Sequence, residues 1–186
     1  MRALVAVLAA SLLLGCAGPS RELPPPKTVA AVDLQRYQGT WYELARLPMF
    51  FQRNCAQSEA HYRLLDAGRI EVENRCRTRE GDWNQVHGQA FPQVAGQTDK
   101  LWVRFDNWFS SLYPDLAKGQ YWVLYLDDDY QTAVVGHPDR DYLWLLARQP
   151  EVDGATRERL LEVARSQGYD TSALIWRAPD SAIHKF

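Results

Sequence analysis

The chain has 186 residues, with 21 basic and 23 acidic side chains and a formal net charge of −2. That length suffices for one domain with a sizeable core, and the near-balance of charge leaves no cationic surplus to neutralise a nucleic-acid backbone. Seven Trp, nine Tyr and six Phe are a heavy aromatic load, suited to strands and to the wall of a pocket.

Residues 1–15 read as an export signal. Arg2 is their one charge, and the apolar run over 3–14 is shorter than the roughly 20 residues that a spanning helix needs. Leu13-Leu14-Gly15-Cys16 closes the run as a bacterial lipobox does. It implies diacylglyceryl attachment at the Cys16 sulfur, cleavage before that residue and acylation of the new amine. Two or more acyl chains hold a protein on a membrane where one does not. Ala17 follows rather than the aspartate that retains such lipoproteins in the inner membrane, so the expected address is the outer membrane, on its periplasmic side. Residues 16–32 are small, polar and centred on Pro24-Pro25-Pro26, a composition that favours polyproline II and predicts a semi-rigid spacer. The folded domain is then expected over 33–186.

From there the sequence predicts short strands separated by turn signals, the pattern of a sandwich or barrel. The first strand covers 40–47. Strands over 58–65 and 69–77 flank Asp66-Ala67-Gly68, a hairpin turn with glycine where a positive φ is needed. Ala60, Tyr62 and Leu64 alternate with Glu59, His61 and Arg63. Ile70, Val72, Asn74 and Cys76 alternate with Glu71, Glu73, Arg75 and Arg77. A period of two with charge on one side marks a half-buried strand. Strands over 82–91, 100–106, 121–126, 132–136 and 142–148 follow. Both faces of 121–126 are apolar, so something must cover it outside. A helix over 155–167, capped by Asp153 and stopped by Gly168, supplies the cover, and a short strand over 174–177 ends the fold. The fold class is therefore all-β: an eight-stranded antiparallel up-and-down barrel with one C-terminal helix packed outside and a short last strand.

Setting Cys16 aside leaves Cys55 and Cys76. In an oxidising compartment they predict a disulfide. The alternative is a free Cys76 on the inward face beside Asn74, which would be a nucleophile for a lipophilic substrate. No other catalytic apparatus is visible. The four histidines have no zinc-ligand spacing, Asp127-Asp128-Asp129 lacks the glycine and glutamate of a calcium loop, and no nucleotide fingerprint occurs. No cofactor, metal or catalytic residue is predicted.

Tyr37-Gln38-Gly39-Thr40-Trp41-Tyr42-Glu43 and, about a hundred residues on, Asp139-Arg140-Asp141-Tyr142-Leu143-Trp144-Leu145-Leu146-Ala147-Arg148 resemble the first and third conserved regions of the lipocalin family. The second region keeps only Asp127, and Val135-Gly136 stands where relatives often place a disulfide cysteine. The resemblance implies a barrel around an apolar cavity. Gly39 would let the chain turn beneath it, Trp41 would plug the closed end, and Arg148 would lie on the indole. Inward parity nominates Tyr62 and Asn74 as ligand-binding residues. Trp122 joins them through the resemblance alone. Leu47-Pro48-Met49-Phe50-Phe51 and Trp108-Phe109-Ser110-Ser111-Leu112-Tyr113-Pro114 should form an aromatic rim that either folds in as a lid or meets a membrane or partner. The function implied is storage or transport of a fatty acid or lysophospholipid by a membrane-anchored protein, with a homodimer as a further expectation.

Overall fold

The computed structural model describes residues 23–66, 68–106 and 118–183. Nine strands run β1 Gly39–Arg46, β2 Gln57–Leu64, β3 Ile70–Arg77, β4 Trp83–Pro92, β5 Lys100–Phe105, β6 Lys118–Leu126, β7 Thr132–Gly136, β8 Leu143–Ala147 and β9 Ile175–Trp176. Each of β1 to β7 pairs antiparallel with the strand that follows it. β1 pairs with both β2 and β8, so the eight-stranded sheet closes on itself, and β9 adds outside along the end of β1. The architecture is the one expected from the alternation of the sequence. One element it did not announce is α1, Leu34–Tyr37, whose N–H groups at Gln35 and Arg36 are capped by the Asp33 carboxylate. Among the described residues no helix is long and apolar enough to cross a membrane.

Apolar side chains collect on both sides of the sheet. Inside the barrel, Tyr37, Trp41, Val72, Leu101, Val123 and Val135 belong to one buried cluster. Outside, α2, Gly154–Ser166, lays Leu160 and Ala164 on Leu124, Val134, Leu143 and Leu145. This is the cover that the doubly apolar β6 requires, and each such leucine or valine contributes about 1.5–3 kcal/mol on burial. Asp153 starts the helix by accepting the Thr156 N–H at 2.7 Å, which holds its carboxyl below the ordinary range. Gly168, at φ 86°, ends it, as a left-handed C-terminal glycine does.

The expectation of a spacer over 16–32 needs correction for its second half, because residues 24–32 lie against the barrel wall. Arg140 Nη2 donates to Pro24 O at 2.6 Å, Lys27 N–H to Gln167 Oε1 at 2.9 Å, Thr28 Oγ1 to Asp99 Oδ2 at 2.6 Å and Val32 N–H to Thr98 Oγ1 at 2.8 Å. Val29 N–H bonds Val123 O at 2.9 Å, and Val32 is buried in the inner cluster. The chain is extended there, as proline dictates, but Val29 and Val32 give it an apolar edge to bury. It passes as a strap from the β7–β8 turn down to the β4–β5 turn.

Candidate ligand-binding site

The base of the barrel is closed by residues from four places in the chain. Gly39 turns at φ 90°, a left-handed backbone conformation that favours glycine. Trp41 follows with no exposed surface, its Nε1 donating to Tyr37 O at 2.9 Å. The Arg148 guanidinium lies 4.0 Å from the Trp41 ring centroid. It also donates to Tyr130 O, Thr40 O and Arg36 O at 3.1, 2.8 and 2.9 Å. One side chain thus ties α1, β1 and the β6–β7 turn together. Sequence reasoning anticipated the stacking but not the three carbonyls. Burial lowers the Arg148 pKa from its usual value.

Above this plug lies a cavity of about 960 Å³ lined by residues of every barrel strand except β7, near the top of the roughly 300–1,000 Å³ range of small-molecule sites. Register orders its wall by height. Near the base, Ile70 stands opposite Ala90, Ala90 opposite Val103, and Val72 opposite Tyr62. One step up, Asn74 faces Ala60 and Val86. Nearest the mouth, Cys76 faces Ser58 and Asn84. Apart from the tyrosine hydroxyls at its floor, the lower half is apolar, and polar side chains become more frequent in the upper half.

Tyr62 and Asn74 both line this space, as inward parity requires. Asn74 Oδ1 is itself buried and has no hydrogen-bond partner among the described residues. Trp122 does not line it. It stands opposite Lys100 and Gly136, packs into the outer cluster beneath α2 and carries Lys100 Nζ 4.3 Å above its ring. The inward residue is its neighbour Tyr121, because alternation along β6 puts 121 and 123 inside. The expectation of Trp122 as a ligand residue is corrected accordingly.

At the floor, Tyr121 Oη lies 2.8 Å from Tyr37 Oη and 3.2 Å from Tyr62 Oη. Burial away from water pushes the Tyr62 hydroxyl up to about 12 and raises Tyr37 and Tyr121 well above the ordinary phenol value. All three stay protonated at neutral pH.

Sequence reasoning also missed a polar network under the mouth. A register shift between Glu43 and Ala45 sends Leu44 and Ala45 to the outer cluster and leaves Glu43 beside the cavity. Glu43 takes Arg46 Nη1 at 2.7 Å and Gln52 Nε2 at 2.9 Å. Arg46, 1% exposed, reaches Gln52 O and Cys55 O, and Trp144 Nε1 donates to Gln52 Oε1 at 3.1 Å. A buried pair survives only when its remaining hydrogen-bonding capacity is largely met, and the loop between β1 and β2 supplies acceptors for Arg46 Nη2, leaving Nε without a partner among the described residues.

That loop is pinned by the Cys55–Cys76 disulfide, with Cα atoms 5.3 Å apart. Neither sulfur is then a thiol, which removes the nucleophile of the enzymatic alternative. Phe50 and Phe51 on the same loop are 79% and 62% exposed and do not fold inward as a lid. The second aromatic rim segment, 108–114, and Cys16 lie outside the described residues. His137, Asp139 and Asp141 bring ligand-type atoms within 4.8 Å of one another, but the two carboxylates are exposed.

A closed antiparallel barrel with a plugged base and a largely apolar cavity is the build of a carrier for small hydrophobic molecules. A family model described as a lipocalin-like domain matches residues 32–179. The chain belongs to the lipocalin family. It is 38% identical over 175 residues to the outer membrane lipoprotein Blc of Escherichia coli K12, covering 92% of each protein. To the Blc of Vibrio cholerae it is 38% identical over 179 residues, or 95% of this chain and 98% of that one. Apolipoprotein D of Mus musculus is 30% identical over 154 residues, 79% of this chain and 77% of its own. Insecticyanin from Manduca sexta shares the fold, with a TM-score of 0.65 at 21% identity over 87% of this chain and 88% of that one.

Proposed function

We propose that this protein is an outer-membrane lipoprotein lipocalin that stores or transports a single-chain amphiphile, a fatty acid or a lysophospholipid, bound tail-down. The observation that carries the reading is the gradient of the wall. Ile70, Val72, Ala90 and Val103 line the depth of the cavity, whereas Ser58, Asn74 and Asn84 lie towards its mouth. Each methylene buried in the lower half contributes about 0.8 kcal/mol before the cost of association, so a chain of roughly twelve carbons reaches micromolar affinity without an ion pair. Asn74, a polar side chain in that upper wall, is the candidate partner for the headgroup.

The outer-membrane address is supported by the lipobox and by the Blc relatives. Acyl chains on Cys16 would hold the protein there, facing the periplasm. Displacement of a fluorescent fatty acid by lysophospholipid tests the binding. Val103→Trp, which fills the lower half, should weaken both ligands at least tenfold while the circular dichroism is unchanged. Equal affinity in the variant overturns the tail-down reading. Cys16→Ser should abolish palmitate labelling and release the protein from the membrane fraction.

The exposed Phe50 and Phe51 also support a homodimer joined at the rims. Phe50→Asp with Phe51→Asp should then shift sedimentation to the monomer.

A further inference from the structure

The floor of the cavity holds one more hydroxyl proton than it can use. Tyr121 Oη makes both oxygen–oxygen contacts of the tyrosine triad, to Tyr37 and to Tyr62. Each contact consumes one proton, and three phenols supply three. Among the described residues, no other acceptor is within hydrogen-bond reach of these hydroxyls. All three side chains line the cavity, and their apolar neighbours Ile70, Val72, Ala90 and Leu101 offer nothing that accepts. The remaining donor is therefore available to the cavity itself.

We propose that the triad is a subsite for a neutral oxygen on the far end of the bound chain: a hydroxyl or keto group at or near the terminus of an acyl tail. The proposal rests on the tail-down lipid reading above and adds to it a preference among tails. A methyl end reaching the floor displaces water and leaves the donor unsatisfied, whereas an oxygen there accepts it. A hydroxyl can also return its own proton to one of the tyrosine oxygens.

Charge decides between a neutral oxygen and a carboxylate. Arg148 lies against Trp41 and is engaged with three main-chain carbonyls, so among the described residues no free cation faces the floor. A carboxylate driven head-first to this depth would be desolvated without a counter-ion, which is costly. A carbon–oxygen dipole carries no such cost, and the guanidinium below favours its negative end.

The test compares fatty acids of 12, 14 and 16 carbons with their ω-hydroxy counterparts. Each competes with a fluorescent fatty acid for the mature protein and for the Tyr37→Phe/Tyr62→Phe/Tyr121→Phe variant. Removing all three hydroxyls together leaves no orphaned partner, so the variant should keep its fold, checked by thermal unfolding. At the length that reaches the floor, the ω-hydroxy acid should bind the unaltered protein roughly tenfold more tightly than the plain acid. In the triple variant the preference should vanish, with the plain acid bound at least as well as before. Equal affinities at every length in the unaltered protein overturn the proposal, as does a preference that survives the triple substitution. If neither class of ligand binds, the lipid-binding reading itself fails. Should the variant not fold, the length series on the unaltered protein still decides.

Discussion

Arg148 and the three cavity tyrosines bear different loads at the same end of the barrel. Arg148 holds three carbonyls from three elements and stacks on Trp41. Arg148→Met keeps much of the stacking surface but drops every donor, and charge-assisted hydrogen bonds of this kind make a loss of about 2–4 kcal/mol the expected outcome in a urea titration. The tyrosines govern alkaline behaviour. Their hydroxyls titrate higher in the folded protein than in the unfolded chain, Tyr62 at about 12 against the ordinary 10. The folded state therefore retains protons that the unfolded state gives up first. Their contribution is complete below pH 10 and declines as pH rises towards 12. Unfolding free energies measured across that window should fall steeply, and the triple phenylalanine variant should flatten the slope.

At the scale of elements, the disulfide decides how firmly the mouth is built. It joins the β1–β2 loop to β3 across a sequence separation of 21, a closure worth about 3 kcal/mol in the chain-entropy model. Reduction, or Cys55→Ser with Cys76→Ser, should lower the denaturation midpoint accordingly. It should also loosen Gln52 from Glu43 and Trp144, seen as a change in tryptophan fluorescence before global unfolding. The strands themselves were legible because β2 and β3 alternate cleanly, Tyr62 and Asn74 inward and Glu71 and Glu73 outward. Alternation could not orient β6, where both faces are apolar; there the family resemblance pointed to Trp122 and the fold to Tyr121. Nor could a period of two foresee the shift at Glu43, since a strand that changes face midway reads locally like one that does not. The almost complete burial of Arg46 follows from that shift. The strap was hidden by its prolines, which announce extension but not whether an extended chain finds a wall to lie on.

For the molecule as a whole, the cavity is the reserve of stability. Ligand binding to the folded state alone adds about 2.7 kcal/mol when free ligand stands at a hundred times its dissociation constant. Calorimetric melting with saturating lysophospholipid should therefore rise by several degrees, and the gain should be lost in Val103→Trp. A melting temperature independent of ligand would mean that the lower cavity takes no tail.

The strap also gives the barrel a mechanical polarity. A load applied at the N-terminus reaches the β7–β8 turn first, through the bond from Arg140 to Pro24. Its contacts would open one after another from that end, Lys27 before Val29 and Val29 before Val32. A lateral tug from a moving bilayer would thus be spent peeling a few hydrogen bonds outside the sheet, leaving the bonds that close the barrel unstretched.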